Sequence, residues 1–356
     1  MMDRIIEQDC LEYLEKIDLS PLKGKTVYIT GANGLIGTYV IYMLHLANIL
    51  KNTGIKIAAV SKNPPADYLQ DIFQDAFKDR YSFHSLDLYR QDLDCSEAEE
   101  TKADYIIHGA TYAQPKKFIQ NYLETIHLNT TVTEKLLKKA KKDGATLLFL
   151  SSSEVYGEPD EKHIPTGEDF PGLCSPVDVR AIYSESKRMG ETLCFAYRNF
   201  EGVNVKIARI SMTYGPGISL KDERVLAHFL RQALYDKKIV MLDDGSKIRT
   251  FCYIADCVLM LLYIMLYGKD FVYNVGGKDS ISIRSLAEEI CLLTGSTLSE
   301  NIASKENMEN VKVSPKMVKL DITKVCTEFP LPPFKPFREG LARTIEWNRR
   351  VNGLPG

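Results

Sequence analysis

The chain has 356 residues, 45% of them hydrophobic, and its 45 basic and 47 acidic side chains give a formal charge of −2. That is enough apolar material for one large domain or two unequal ones, without the basic surplus that holds nucleic acid or an anionic membrane. No apolar run reaches the ~18 residues of a membrane span, and the longest, "CVLMLLYIML" at 257–266, reads as a buried helix.

Residues 1–24 carry a short amphipathic pattern (Ile5, Ile6, Cys10, Leu11, Leu14) and are expected to form a helical extension packed on the outside of the domain that begins at residue 25. From Thr26 the patterns alternate: "TVYIT" as a strand, "GLIGTYVIYMLHLANIL" as a helix, then "KIAAVSK", "YSFHSLDL" and "ADYIIHGA" as strands, a helix over 121–142, and "TLLFLSSS" as a strand. Such alternation means β-α-β units and a parallel sheet covered on both faces. Pro159, Pro165, Pro171 and Pro176 mark a long loop before the helix "YSESKRMGETLCFAYRNF" and the strand "VNVKIARIS". Beyond about Gly215 the signals shorten. The expected architecture is α/β, a Rossmann-like doubly wound parallel sheet over 25–215 with a smaller C-terminal α/β substrate-binding lobe over 216–356. The eight cysteines, Cys10, Cys95, Cys174, Cys194, Cys252, Cys257, Cys291 and Cys326, show no C-x-x-C pair or histidine cluster. They indicate neither a metal site nor a disulfide framework, and with no signal peptide pattern they point to a reducing cytoplasm.

"TVYITGANGLIGTYV" sets Gly31, Gly34 and Gly37 between the first strand and the first helix, with Asn33, Leu35 and Ile36 in the same turn. Glycines here permit a tight turn and close approach of backbone to a pyrophosphate that faces the helix N-terminus. The G-x-x-G-x-x-G spacing resembles the short-chain dehydrogenase/reductase superfamily. An acidic residue at the end of the second strand ordinarily bonds the ribose 2′-hydroxyl, but this chain has Ser61, Lys62 and Asn63 there, and Lys62 pairing with a 2′-phosphate tilts the choice between NAD and NADP toward NADP or toward relaxed selection. By resemblance to the superfamily's D-V or D-L pair, Asp87 and Leu88 meet the adenine.

"YSESK" places Tyr183 and Lys187 four apart, on one face of a helix. A tyrosine is a poor base at neutral pH, and an adjacent ammonium is expected to pull its pKa down. Ser152, at the end of "TLLFLSSS", is placed to hydrogen-bond the substrate hydroxyl that Tyr183 deprotonates, which completes the superfamily's Ser/Tyr/Lys set. Glu154, two residues on, is expected in the same cleft through strand alternation.

Over about residues 25–345 the sequence resembles the extended short-chain dehydrogenases that modify nucleotide sugars, and within them the UDP-glucuronate decarboxylase (UDP-xylose synthase) branch. The matching stretches are "SSSEVYGEP", "VRAIYSESKRMGETL", "TYGPG", "KDERVLAHFLRQAL", "DGSKIRTFCYIADCV", "YNVGG" and "LDITK". Ser153 stands where the related 4,6-dehydratases have an acidic aspartate, which disfavours dehydration. The resemblance implies C4 oxidation to a 4-ketone, loss of a C5 carboxylate as CO2, and return of hydride from a cofactor, NAD or NADP, that stays bound and is recycled. It implies a UDP-sugar substrate, with Arg224 and Arg249 on its pyrophosphate or carboxylate, and Thr111, Ser153 and Met212 as further contacts. Met212 replaces the usual asparagine, and Ser61 the usual acid. A 4-keto sugar nucleotide reductase or an epimerase therefore stays open as the alternative, and a non-catalytic dinucleotide sensor is disfavoured by the intact Ser152, Tyr183 and Lys187. Ala110, Thr111 and Tyr112 would cover the nicotinamide side, His108 reads as packing rather than base, Asn129 as mainly structural and Trp347 as an anchor for the last helix. Arg180 reads equally as reaching an acidic substrate or as a surface ion pair. Helices over 121–142 and 183–199 match those of a homodimer bundle in relatives.

Overall fold

A computed structural model describes residues 2–74, 79–300 and 316–355. The first helix, α1 (Arg4–Leu14), starts where Asp3 accepts from the N–H groups of Ile5 and Ile6. Then come β1 (Thr26–Thr30), α2 (Leu35–Lys51), β2 (Lys56–Ser61), α3 (Asp67–Gln74), β3 (Tyr81–Ser85), α4 (Glu97–Glu100), β4 (Tyr105–His108), α5 (Pro115–Gln120), α6 (Tyr122–Asn129), α7 (Thr131–Asp143), β5 (Thr146–Ser152), α8 (Ala181–Phe200) and β6 (Val205–Ile210). Past β6 run β7 (Met212–Tyr214), α9 (Val225–Arg231), β8 (Lys238–Met241), β9 (Ile248–Tyr253), α10 (Ile254–Tyr267), β10 (Val272–Val275), β11 (Ser280–Ser282), α11 (Ile283–Thr294), β12 (Thr297–Glu300), β13 (Met317–Val318), α12 (Thr323–Glu328) and α13 (Phe337–Val351).

Seven parallel strands form the main sheet in the order β10-β6-β5-β4-β1-β2-β3. Every residue of β1 is buried, as a strand covered on both faces requires. One face packs on α2 and α10, whose Leu259 to Leu262 are almost wholly buried, and the other on α7 and α8 through Leu136, Leu137 and Cys194. Although β10 comes after the irregular segment, it pairs with β6, so the chain returns to the main sheet after Gly215. The remaining strands build a small lobe from β11-β9-β13, with β7 beside β9, and from the pair β12-β8. Within the expected lobe, 301–315 lie outside the described residues. No helix among the described residues is long and apolar enough to cross a membrane.

The N-terminal extension forms a helix that packs on α2 and α10 with Arg4, Gln8 and Leu11 exposed. Ile6, Asp9 and Cys10 are fully buried, because α1 lies against α2 and α10. Asp9 accepts from the Tyr39 hydroxyl on α2 at 2.8 Å, from Tyr253 at the end of β9, and from Arg343 on α13.

Candidate active site

The chain turns out of β1 at Gly31, whose φ of +76° only glycine adopts without strain. A Cβ there would lie 2.7 Å from the Gly109 carbonyl, and one on Gly37 would lie 2.6 Å from the Gly31 oxygen. The loop is thus a backbone cradle with no room for side chains, closed below by β4. Gly34 caps α2 without a side-chain hydrogen bond, which leaves the first-turn N–H groups of Leu35, Ile36 and Gly37 for an anion. The cradle fits a dinucleotide pyrophosphate. Asn33 fastens it to the next loop, donating to the carbonyls of Asn63 and Pro64 and accepting from Ala66 N–H.

Ser61 ends β2 and Lys62 comes next, its side chain half in solvent and already paired. Its ammonium lies 3.0 Å from Asp87 and 3.7 Å from Glu124, and the Asp87 contact holds its pKa above the usual value. Burial works against the Asp87 charge, yet Lys62 and the N–H groups of Tyr89 and Arg90 outweigh it and keep that carboxyl below its usual range. Two carboxylates around one ammonium repel a further phosphate. The neighbouring Leu88 is buried, and Ala110 N–H reaches the Thr30 hydroxyl at 3.3 Å.

Ser152 closes β5, and its hydroxyl accepts from Glu154 N–H at 3.2 Å and lies near enough to Tyr183 to favour the phenolate. Tyr183 is buried on α8 with its ring stacked on Phe118 at 5.1 Å. One turn on, Lys187 donates to the Leu150 carbonyl at 2.6 Å and lies 4.6 Å over the Phe149 ring. Ser152 and Tyr183 therefore lie close together at the carboxyl end of the sheet, while the Lys187 ammonium turns to the strand carbonyl behind them. The expected lowering of the phenol pKa is not found. Burial pushes Tyr183 up to about 12 against the nearby Ser152 hydroxyl, with Glu154 adding to the rise and Arg224 opposing it. Burial likewise presses Lys187 down to about 7, opposed by Glu191 and Cys194.

His108 takes no part as a base. Its Nε2 faces the Leu128 carbonyl at 3.1 Å, which can only accept, so that nitrogen carries the hydrogen and Nδ1 accepts from the Thr30 hydroxyl at 2.7 Å. Burial, and then Lys187, lower its pKa to about 3 and keep it neutral. Asn129 donates to Ser186 at 2.9 Å from a fully buried position.

Glu154 reaches the cleft by a route other than strand alternation. The strand stops at Ser152, and a 3₁₀ turn over Ser153–Tyr156 carries Ser153 and Glu154. Both Glu154 oxygens accept from Arg180 Nη2 at 2.6 Å. Arg249, on β9, is buried and donates to the Ile248 carbonyl at 2.7 Å; burial lowers its pKa, with Glu154 opposing and Arg180 reinforcing, so all three charges share one neighbourhood. Arg224 is instead held by Asp222, at 2.6 Å from Nη2, and Asp222 also accepts from Gln114 at 3.0 Å. The Thr111 hydroxyl is buried without a protein partner. Met212 is half-buried on β7, in register with Phe251.

A network that the motifs did not signal supports this site. Glu191, one turn beyond Lys187, accepts from Ser151 at 2.6 Å and pairs with Arg209 at 2.7 Å, and Arg209 donates to the Tyr156 hydroxyl at 3.0 Å. Its only trace in the sequence is the four-residue step from Lys187.

Residues 27–276 match the NAD dependent epimerase/dehydratase family. UDP-glucuronic acid decarboxylase 1 of Xenopus tropicalis is 33% identical over 336 residues, covering 93% of this chain and 74% of its own length. UDP-glucuronic acid decarboxylase 6 of Arabidopsis thaliana is 31% identical over 329 residues, covering 92% and 90%. In fold, UDP-glucuronic acid 4-epimerase from Bacillus cereus, solved with UDP-glucuronic acid and NAD, superposes with a TM-score of 0.76 at 24% identity over 92% of this chain and 99% of that one. The dTDP-glucose 4,6-dehydratase DesIV from Streptomyces venezuelae, solved with NAD, gives 0.76 at 22% identity over 92% and 98%. With a glycine cradle sized for a pyrophosphate and Ser152, Tyr183 and Lys187 gathered beside it, the chain belongs to the NAD dependent epimerase/dehydratase family.

Proposed function

We propose that the protein is a UDP-glucuronate decarboxylase, which converts UDP-glucuronate to UDP-xylose and CO2 in the cytoplasm with NAD kept bound and recycled. The observation that carries the reading is the charge set of Glu154, Arg180 and Arg249 beside Tyr183. Two guanidinium groups around one carboxylate suit a substrate that brings a carboxylate of its own. Ser153, in place of an acid, supplies no proton for dehydration. The named relatives support the substrate.

Gly31, Gly34, Gly37, Leu35 and Ile36 would hold the pyrophosphate, while Lys62, Asp87 and Leu88 would border the adenosine. A dinucleotide held there would supply reversible hydride transfer at the sugar C4. Tyr183 takes the C4 hydroxyl proton, Ser152 holds the same oxygen, and Lys187 keeps positive charge behind the phenolate. With C4 a ketone, the C5–carboxylate bond breaks and CO2 leaves. The electron pair passes into an enolate whose oxygen Ser152 and Tyr183 stabilise. Glu154 then orients or delivers the proton that C5 gains, and Tyr183 returns its proton to the C4 oxygen. The segment from 216 onward would supply Arg224, Arg249 and the remaining nucleotide-sugar contacts. A homodimer is part of the reading, supported by Tyr122, Leu123 and Ile126 of α6 and Met189 and Phe195 of α8, all exposed. The eight free cysteines support a reducing compartment.

Purified protein given UDP-glucuronate and NAD, followed by NMR and by absorbance, is expected to form UDP-xylose without net NADH. Glu154→Gln is expected to stall that conversion. Formation of a 4-epimer, or consumption of a supplied 4-keto sugar nucleotide by NADPH, would overturn the assignment.

A further inference from the structure

Arg180 begins α8, and its carbonyl accepts the N–H of Tyr183 at 3.0 Å, so its position is tied to that of the base. Its side chain meets Glu154 through a single terminal nitrogen that serves both carboxylate oxygens, rather than through two parallel bonds. Both side chains keep about a third of their surface in solvent, 35% and 37%. An ion pair so exposed contributes little, so parting it costs little. The guanidinium also retains donors beyond Nη2 for a bidentate partner.

Resting on the decarboxylase reading, we infer that Arg180 is the residue that selects the substrate's carboxylate, and that it does so by exchange: the C5 carboxylate displaces Glu154 from the guanidinium and thereby frees Glu154. Three features carry this. Glu154 and an incoming carboxylate are like charges that cannot both crowd one guanidinium without cost. Arg249 sits in the same neighbourhood, held to the Ile248 carbonyl, so a second guanidinium stays beside whichever carboxylate moves. Glu154 rides on a 3₁₀ turn capped by Ser152, which fixes its backbone while its side chain swings. Arg224, already gripped by the buried Asp222, is the poorer candidate for a mobile partner. A neutral hexose nucleotide has nothing to trade for Glu154 and leaves the pair closed.

The test is calorimetric binding to NAD-loaded protein carrying Tyr183→Phe, so that no turnover occurs, with UDP-glucuronate and UDP-glucose as probes. Added Arg180→Met is expected to weaken UDP-glucuronate by about tenfold or more and to leave UDP-glucose within about twofold. Added Glu154→Gln removes the competitor and is expected to tighten UDP-glucuronate several-fold, a gain that vanishes when Arg180→Met is combined with it. Equal weakening of both sugars by Arg180→Met, or no gain from Glu154→Gln, would overturn the exchange while the decarboxylase reading survives. If the parent protein does not prefer UDP-glucuronate over UDP-glucose, both fall together.

Discussion

Lys187 is anchored to Leu150, two residues before Ser152, by a 2.6 Å bond to the strand carbonyl. A side chain only 1% exposed thus carries an ammonium across the interface between α8 and β5. Burying a charge costs several kcal/mol, and one bond to a neutral carbonyl offsets about 1–3 of them. The position therefore costs stability, as the proposed role beside Tyr183 would require.

Lys187→Met is therefore expected to abolish turnover and to stabilise the fold by about 1–3 kcal/mol near pH 6. Burial takes the lysine from 10.5 to about 7, so between those values the unfolded chain binds a proton that the folded one lacks. Stability at this position rises with pH across that window, and the advantage of the methionine variant shrinks as pH climbs from 7 toward 10. Thermal melts at pH 6 and pH 9 check this, and a variant less stable than wild type at pH 6 would refute it.

Gly37→Ala places a Cβ 2.6 Å from the Gly31 oxygen, inside the cradle. Overpacking of about 1–3 kcal/mol at that point is expected to weaken NAD binding by roughly tenfold to a hundredfold, with the far-ultraviolet circular dichroism unchanged. Fluorescence titration with NADH measures it.

Glu191→Ala strands Arg209, whose side chain is 14% exposed, with its charge unpaired. The expected loss is about 3–5 kcal/mol in denaturant unfolding. Glu191→Ala combined with Arg209→Met is expected to recover a good part of it, since no lone charge remains.

Asp9→Ala removes the acceptor shared by Tyr39, Tyr253 and Arg343. About 2–3 kcal/mol of stability is expected to go with it, because two buried hydroxyls lose their acceptor and Arg343 keeps only Glu12 and Glu339. Limited proteolysis is expected to cut between the lobes sooner in the variant.

Six of the seven main-sheet strands were legible as short runs between turn residues, from "TVYIT" to "VKIARI", whereas β10, the edge strand beyond the irregular segment, was not, because its pairing with β6 is remote in sequence. Chemistry written locally was legible too, as the glycine turn and the Y-x-x-x-K step show. What stayed hidden depends on partners far along the chain. Lys62 reads as a free basic residue until Asp87 and Glu124 fold onto it. The apolar pattern over 121–142 continues through Thr130, yet the backbone there departs from helical geometry at φ −117°, and the segment divides into α6 and α7. At the N-terminus the apolar pattern marks one buried face and gives no sign that Asp3 and Asp9 are buried too. They are buried because Trp347, Arg350, Tyr39 and Arg343 come to meet them.

That meeting of the two ends of the chain bears on how the molecule assembles. The bond from Arg350 to Asp3 spans 347 residues, and those from Trp347 and Arg343 span almost as many. Contacts so remote in sequence form late, after the loops between them have closed. The first helix thus waits, its acidic face unmatched, until the Phe337–Val351 helix has been synthesised and docked. A nucleotide-binding half emerging from the ribosome is incomplete on its α2 side until then, and that side closes only once the Phe337–Val351 helix has docked.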